Sequence, residues 1–295
     1  MNGTSKVCLV GQVLVDVTFP TGEKEPKLRF GGIAHAARAL WAMDTPYVLA
    51  YFAPEYLDEQ ICRHATEYGD GSVYKIGNVL GCPNVVTIGE PTEAGPQGYQ
   101  FLLRDEQKAT FNVKVFEEVC QDKGITDFII FPGGFDLTAV LKAVGQSKAA
   151  VHIDANFQPE NPQEFGVLGR RFDTIMVSTS SDVFKRRYEG VVTNLCKCLL
   201  GSYAETILFK ENRGGSRLFT TRIPKSPLMV PSQNRHVRHS VGVGDCFDAV
   251  YVVTRHKMKE QPALAYAACV AAEYACTTFP DDFREAARAT LQIYA

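Results

Sequence analysis

Apolar and polar positions along this chain follow two rhythms. Short β-branched runs recur at VCLVGQVLVDV (7–17), YVLAYF (47–52), DFIIFPGG (127–134), AAVHIDAN (149–156), TIMVS (174–178) and TILFK (206–210), and these predict strands. Between the later ones, DLTAVLKAVGQS (136–147) and SDVFKRRYEGVVTNLCKCLLG (181–201) carry apolar residues at helical spacing. Strands alternating with helices predict an α/β fold, a mostly parallel central sheet covered by helices on both faces. A final Ala-rich run, QPALAYAACVAAEYACTTF, predicts a helix that begins near Pro262.

One region breaks the alternation. NVVTIGEP (84–91) and QGYQFLLRDEQKATFNV (97–113) read as strands with no helix between them, and RDEQ (104–107) marks the polar turn of a hairpin. FPTGEKEPKLRF (19–30) has the look of a further short hairpin or loop. Together these pieces predict a small β-sheet lid built from about 12–30 and 84–113. There is no internal repeat, low-complexity tract or linker, so residues 1–295 are expected to form one domain carrying that lid.

Composition narrows the classes. The chain is 45% hydrophobic and 22% charged, with a formal charge of −2, ordinary for a globular protein and without the basic excess of a nucleic-acid binder. The N-terminal residues show no basic n-region with a small-residue cleavage site. No apolar run approaches the roughly 18 residues that span a membrane. Nine scattered cysteines show neither paired CxxC zinc spacing nor a dense disulfide pattern, which fits reduced thiols in a cytoplasmic protein.

The candidate chemistry starts at SVGVGDCFDAVYVV (240–253), where Gly242, Val243, Gly244 and Asp245 precede an apolar helix. A helix N-terminus offers free N–H donors and partial positive charge to an anion. A carboxylate beside it can take the proton of an attacking hydroxyl in phosphoryl transfer. Alone, Asp245 reads equally well as a helix cap. RFGGIAHAARALWAM (29–43) places Gly31 and Gly32 before a helix with His35 in its first turns; the pair either exposes backbone to a hydroxylated ligand or makes a tight turn. Asp16, Asp154 and Asn156 end strand-like runs, where open parallel sheets bind ligands. In ILFKENRGGSRLF (207–219), Lys210 and Arg213 are candidates to face nucleotide phosphates, as is the basic RHVRH (235–239).

In this order and spacing, VGQVLVDV, FGGIAHAARAL, YQFLLRDEQKATF, FPGGFDL, IDAN, ILFKENRGGSRLF and GVGDCFDAV resemble the ribokinase-like (PfkB-type) carbohydrate kinases over essentially the whole chain. The resemblance implies a three-layer α/β/α fold with a β lid, and transfer of the ATP γ-phosphate to a substrate hydroxyl with Mg²⁺. By the same resemblance Asp245 is the base and Gly242, Val243 and Gly244 form an anion hole. Asp16, Gly31 and Gly32, with His35 and Asn156, face a small sugar. Lys210, Arg213 and Gly215 serve the nucleotide.

The departures are substantial. His35 or Ala36 stands where the family carries Asn after the Gly pair, and Gln158 where Arg is frequent. Thr179 and Asp182 are the best match to an Asn-x-x-Glu pattern that organises Mg²⁺, leaving Asp182 as the metal candidate. His239, Ser240 and Val241 replace Asp-Thr-Thr, which leaves a monovalent cation an open question. Two alternatives therefore stand beside a sugar kinase. One is a catalytically weak relative that binds a ligand or scaffolds a partner. The other is a nucleoside kinase using lid aromatics such as Tyr99 and Phe101. A homodimer paired through the lid strands is expected from the resemblance.

Overall fold

The computed structural model describes residues 5–19, 25–80, 85–89, 99–101, 108–212, 215–224 and 226–294. Its strands are β1 (Lys6–Thr18), β2 (Lys27–Gly32), β3 (Tyr47–Ala53), β4 (Val73–Leu80), β5 (Val85–Ile88), β6 (Tyr99–Phe101), β7 (Lys108–Ala109), β8 (Ile125–Ile130), β9 (Ala150–Asp154), β10 (Phe172–Ser178), β11 (Ala204–Glu211), β12 (Gly215–Thr220) and β13 (Leu228–Val230). Its helices are α1 (Ile33–Ala42), α2 (Asp58–Glu67), α3 (Val113–Cys120), α4 (Leu137–Val144), α5 (Asp182–Arg187), α6 (Val192–Leu199), α7 (Val243–Thr254), α8 (Glu260–Cys276) and α9 (Pro280–Tyr294).

The central sheet runs β13-β12-β11-β10-β9-β8-β1-β3-β4-β7. Its middle, from β11 to β4, is parallel, and antiparallel strands close both edges. Strands buried on both faces need a continuous apolar sequence, and every residue of YVLAYFA in β3 is buried. One face packs Phe116, Phe128, Phe165 and Phe172 against α3, α4 and their neighbours. The other packs Leu40, Tyr251, Tyr266 and Phe283 from α1, α7, α8 and α9. Each such side chain contributes roughly 1.5–3 kcal/mol by leaving water.

α7 is buried from Cys246 to Thr254. Ala263, Ala267, Ala271 and Ala275 are all buried in α8, four residues apart, so a row of methyl groups lets α8 pack closely in this layer.

β1 belongs to two sheets. Its first half lies between β3 and β8, and its second half, Val13–Thr18, pairs with β2, while Val15–Thr18 also pairs with β5. β6 joins β5, completing the described part of the lid.

Three expectations change. The second lid segment does not reach 113: β7 pairs with β4 at the edge of the central sheet, and Asn112 caps α3, its side chain accepting from the Val115 N–H at 3.4 Å. The helix expected over 181–201 divides into α5 and α6, because Glu189 (φ 57°) and Gly190 (φ 65°) turn left-handed between them. The last expected helix begins at Glu260, with Pro262 in its first turn, and ends at Cys276. RDEQ lies outside the described residues.

No disulfide joins any of the eight described cysteines. No helix among the described residues is long and apolar enough to cross a membrane.

Candidate functional site

Chain order reverses at β1: β3 and β4 follow on one side, β8 to β11 on the other. Such a reversal opens a crevice at the carboxyl ends of the strands. A cleft of about 780 Å³ lies there, walled by Gln12 and Asp16 from β1, Gly133 and Gly134 after β8, Asp154 and Asn156 after β9, Lys210 from β11 and the start of α7.

Gly242 caps α7 in the left-handed conformation, with φ 77°. Two constraints require glycine there. A side chain would strain that φ, and its Cβ would lie 2.1 Å from Cγ of the His35 ring. The Val243 N–H reaches back to the Ser240 carbonyl at 3.4 Å, while Gly244 lies within the helix. A Cβ on Gly244 would sit 3.6 Å from the Lys210 ammonium, so the missing side chain leaves that charge next to the helix N-terminus. Asp245 follows in the first turn, partly open to the cleft and otherwise enclosed by protein. Enclosure, reinforced by the Asp154 carboxylate, pushes its pKa up to about 7, with Lys210 opposing.

Asp16 is 3% exposed and held from behind. His35 Nε2 donates to its Oδ2 at 2.9 Å, and His35 Nδ1 meets the Tyr274 hydroxyl at 2.7 Å. Arg38 donates to the same hydroxyl at 2.7 Å. Burial pushes His35 down to about 4, against the pull of Asp16, so the imidazole is neutral. The donors then run one way, from Arg38 to Tyr274 to His35 to Asp16. His35 is thus a buried brace joining Asp16 to the Gly242 turn, with its rim on the cleft wall. Gly31 lies off that wall, because a Cβ there would meet the Asp16 carboxylate at 2.1 Å. Gly32, at φ 60°, does line the cleft.

Lys210 occupies the other half of the floor. Its ammonium donates to Asp154 Oδ2 at 3.0 Å and to Asp248 Oδ2 at 2.5 Å. Burial pulls Lys210 down, but the Asp154 and Asp248 charges outweigh it and keep the ammonium charged. Asp248 is fully buried, and that burial pushes it above the usual carboxylate range, with the Lys210 ammonium opposing.

Neither Asp248 nor Gln12 was singled out in the sequence. Asp248 falls one helical turn after Asp245 in an otherwise apolar helix, and that misplaced charge is the signal that pointed to it. Gln12 lines the cleft, its Oε1 accepts the Gly134 N–H at 3.1 Å, and its Nε2 is buried with no hydrogen-bond partner among the described residues.

Asn156 lines the cleft while its Oδ1 accepts the Ser178 N–H at 2.7 Å. Gly215 also lines the cleft, but a Cβ there would strike the Val230 carbonyl at 2.0 Å, so packing against β13 demands this glycine. Arg213 lies outside the described residues. Thr179 Oγ1 accepts the Asn212 N–H at 3.3 Å, bracing the turn after β11.

Asp182 is on the cleft rim, 81% exposed and 3.6 Å from Lys185. No group of three His, Cys, Asp or Glu able to hold a metal occurs among the described residues. Mg²⁺ carried by phosphates needs one or two protein carboxylates, which Asp182 and Asp154 can offer; a cage of protein ligands alone does not fit. The Val241 carbonyl, the expected neighbourhood of a monovalent cation, accepts from Arg29 at 3.2 Å, and His239 Nε2 meets the Thr277 carbonyl at 3.0 Å.

Solved structures resemble this chain over its length. Fructokinase with bound ATP from Xylella fastidiosa has a TM-score of 0.74 and 14% identity, covering 98% of both chains. Arabidopsis thaliana ribokinase complexed with ribose and ATP has a TM-score of 0.65 and 16% identity, covering 98% of this chain and 99% of the other. Phosphofructokinase-2 from Escherichia coli, in complex with substrates and products, has a TM-score of 0.68 and 12% identity, again covering 98% and 99%. No protein-family profile matches the chain, and no curated protein matches it significantly by sequence. The fold is therefore the ribokinase-like three-layer α/β/α fold with a β lid, as the sequence motifs implied.

Proposed function

We propose that this protein is a Mg·ATP-dependent kinase that phosphorylates a hydroxyl of a small sugar or sugar-like alcohol. The observation that carries this is Asp245: a carboxylate at the first turn of α7, tuned to about 7, in one cleft with Asp16. A general base works best when its pKa lies near the working pH. The substrate hydroxyl gives its proton to Asp245, its oxygen bonds to the γ-phosphorus, and the bond from that phosphorus to the β-phosphate bridge breaks to release ADP. Asp16, fixed by His35, accepts from other substrate hydroxyls. The N-terminus of α7 and the Lys210 ammonium offset the phosphate charge. Asp182, with Asp154, would hold a phosphate-borne Mg²⁺, which would neutralise phosphate charge. ATP-containing structures of the same fold support the nucleotide assignment. A homodimer through the lid belongs to the same proposal.

One observation favours a second reading, a weak or non-catalytic relative: Lys210 ties up Asp154, leaving exposed Asp182 as the freer carboxylate for a metal. ADP release measured with Mg·ATP across a panel of sugars and nucleosides separates the two. Turnover that disappears in Asp245→Asn supports the kinase. A well-folded protein that neither binds Mg·ATP nor turns over any panel member overturns it, and a nucleoside substrate would move the acceptor class.

A further inference from the structure

Behind Asp16 lies a second cavity of about 490 Å³. Val15 faces it, whereas its neighbours Leu14 and Asp16 face the cleft, as alternation along a strand requires. Its polar wall carries two cations, Arg29 and Arg38, beside His64 and His239, and the Tyr274 hydroxyl links Arg38 to His35.

The charges here are unbalanced. Arg38 is 8% exposed, and its guanidinium is satisfied by a neutral phenol at 2.7 Å, with no carboxylate in ion-pair reach among the described residues. Its Nε, and those of Arg29 and His64 Nε2, have no hydrogen-bond partner among the described residues. Arg29 has a long ion pair with Asp16, at 3.9 Å, so the unpaired charge here is that of Arg38. Burial, with Arg38 adding, pushes His64 down to about 4, and burial with Arg29 pushes His239 to about 3, so both rings are neutral. Glu67 is the one carboxylate on the described wall, and it sits exposed at the rim.

A buried guanidinium has only donors to offer and is costly without an acceptor. An anion would supply the acceptor that the Arg38 and Arg29 Nε groups lack among the described residues. The wall also carries an apolar platform, Phe30 packed edge-on against His64 at 5.4 Å and Phe279 at the mouth, 66% exposed.

We propose that this cavity is a second ligand site, which takes the oxyanion of a small phosphate monoester or carboxylate on Arg38 and Arg29 and its apolar body on Phe30 and Phe279. The arginine fork matches either oxyanion in a bidentate manner. The hydrogen-bonded chain Arg38–Tyr274–His35–Asp16 connects this site to the cleft wall. Binding there requires no turnover, so this assignment stands or falls separately from the kinase assignment.

The test is thermal unfolding of the full chain against inorganic phosphate, phenyl phosphate and benzoate, since a ligand of the native state raises Tm in a saturable way. The aromatic probes should bind more tightly than inorganic phosphate, and the stronger of the two identifies the oxyanion. Arg38→Gln should weaken binding by about tenfold or more, as expected for losing a charged hydrogen-bond donor. Thr278→Glu, an exposed rim change that leaves the core intact, should weaken it by about threefold through repulsion. Gly244→Ala, which narrows the phosphate cradle in the cleft, should leave binding within about twofold, being remote from the cavity. No saturable shift with any probe, or a shift that survives both cavity variants and vanishes in Gly244→Ala, overturns the assignment.

Discussion

Helix α7 has a carboxylate at each end, Asp245 enclosed but partly open to the cleft and Asp127 buried, and the two are driven in opposite directions. At its N-terminus Asp245 is pushed up to about 7 by enclosure and by Asp154, with no ion pair of its own among the described residues. At its C-terminus Arg255 and His256 reach Asp127 on β8, at 3.4 and 2.8 Å, and buried His152 meets the same oxygen at 3.2 Å. Burial raises Asp127 too, but the hydrogen bonds from His152 and His256 outweigh it and hold it below the usual carboxylate range. Burial alone therefore does not decide a carboxylate's state; the donors around it do. The supplied carboxylate anchors the fold, and the unsupplied one keeps the raised pKa that the proposed base requires.

The largest effect should come from removing the reactive member. Asp245→Asn is expected to lower turnover by about a thousandfold or more, since a general base and its positioning are lost together. In an ADP-release assay, the wild-type rate should rise with pH through about 7 and then level, because the base acts only when deprotonated. Stability should run the other way. A carboxyl raised above its unfolded value favours folding fully below about pH 4 and loses that contribution as pH rises through its folded value. Asp245→Asn should therefore melt higher than wild type at pH 8, and the gap should close toward pH 5.

Asp127→Ala tests the other end. It strands buried His152 and the Arg255 guanidinium, and should cost about 3–5 kcal/mol in urea unfolding, with turnover per folded molecule largely retained. Asp127 is lowered in the folded state, so its contribution is present above about pH 4 and lost as pH falls below that, by the usual linkage. Activity lost in proportion to nothing but folded fraction would confirm the contrast; a selective loss of turnover would erase it.

Lys210→Met sharpens the comparison by making the Asp245 end still poorer in positive charge. Because Lys210 pulls Asp245 down, the midpoint of the rate–pH curve should move up by about one unit. The smallest expected effect is Tyr274→Phe, which breaks the donor chain to Asp16 and should destabilise by about 1 kcal/mol in thermal melts.

Much of this was legible in the chain. The strand runs, the lid's interruption of the alternation and the Gly-Val-Gly-Asp turn all appear as local patterns, because each depends on residues close in sequence. The errors came where local signals competed. Asn112 started a helix inside a run that reads as strand, and Glu189 and Gly190 cut one amphipathic stretch into two. His35 was legible as a site residue, but not as a brace, since Tyr274 lies 239 positions away.

By itself, then, the sequence determined the order of elements, the position of Asp245 at a helix start and the motif series that implies a kinase fold. Periodicity and backbone-permissive residues act over a few positions, and a linear chain displays them directly. The tertiary structure decided the charge states and the pairings: Lys210 between Asp154 and Asp248, His35 between Asp16 and Gly242, and Arg38 on the Tyr274 hydroxyl with no carboxylate in reach among the described residues. Those depend on which groups folding brings within a few ångströms and removes from water, and that distance has no counterpart along the chain.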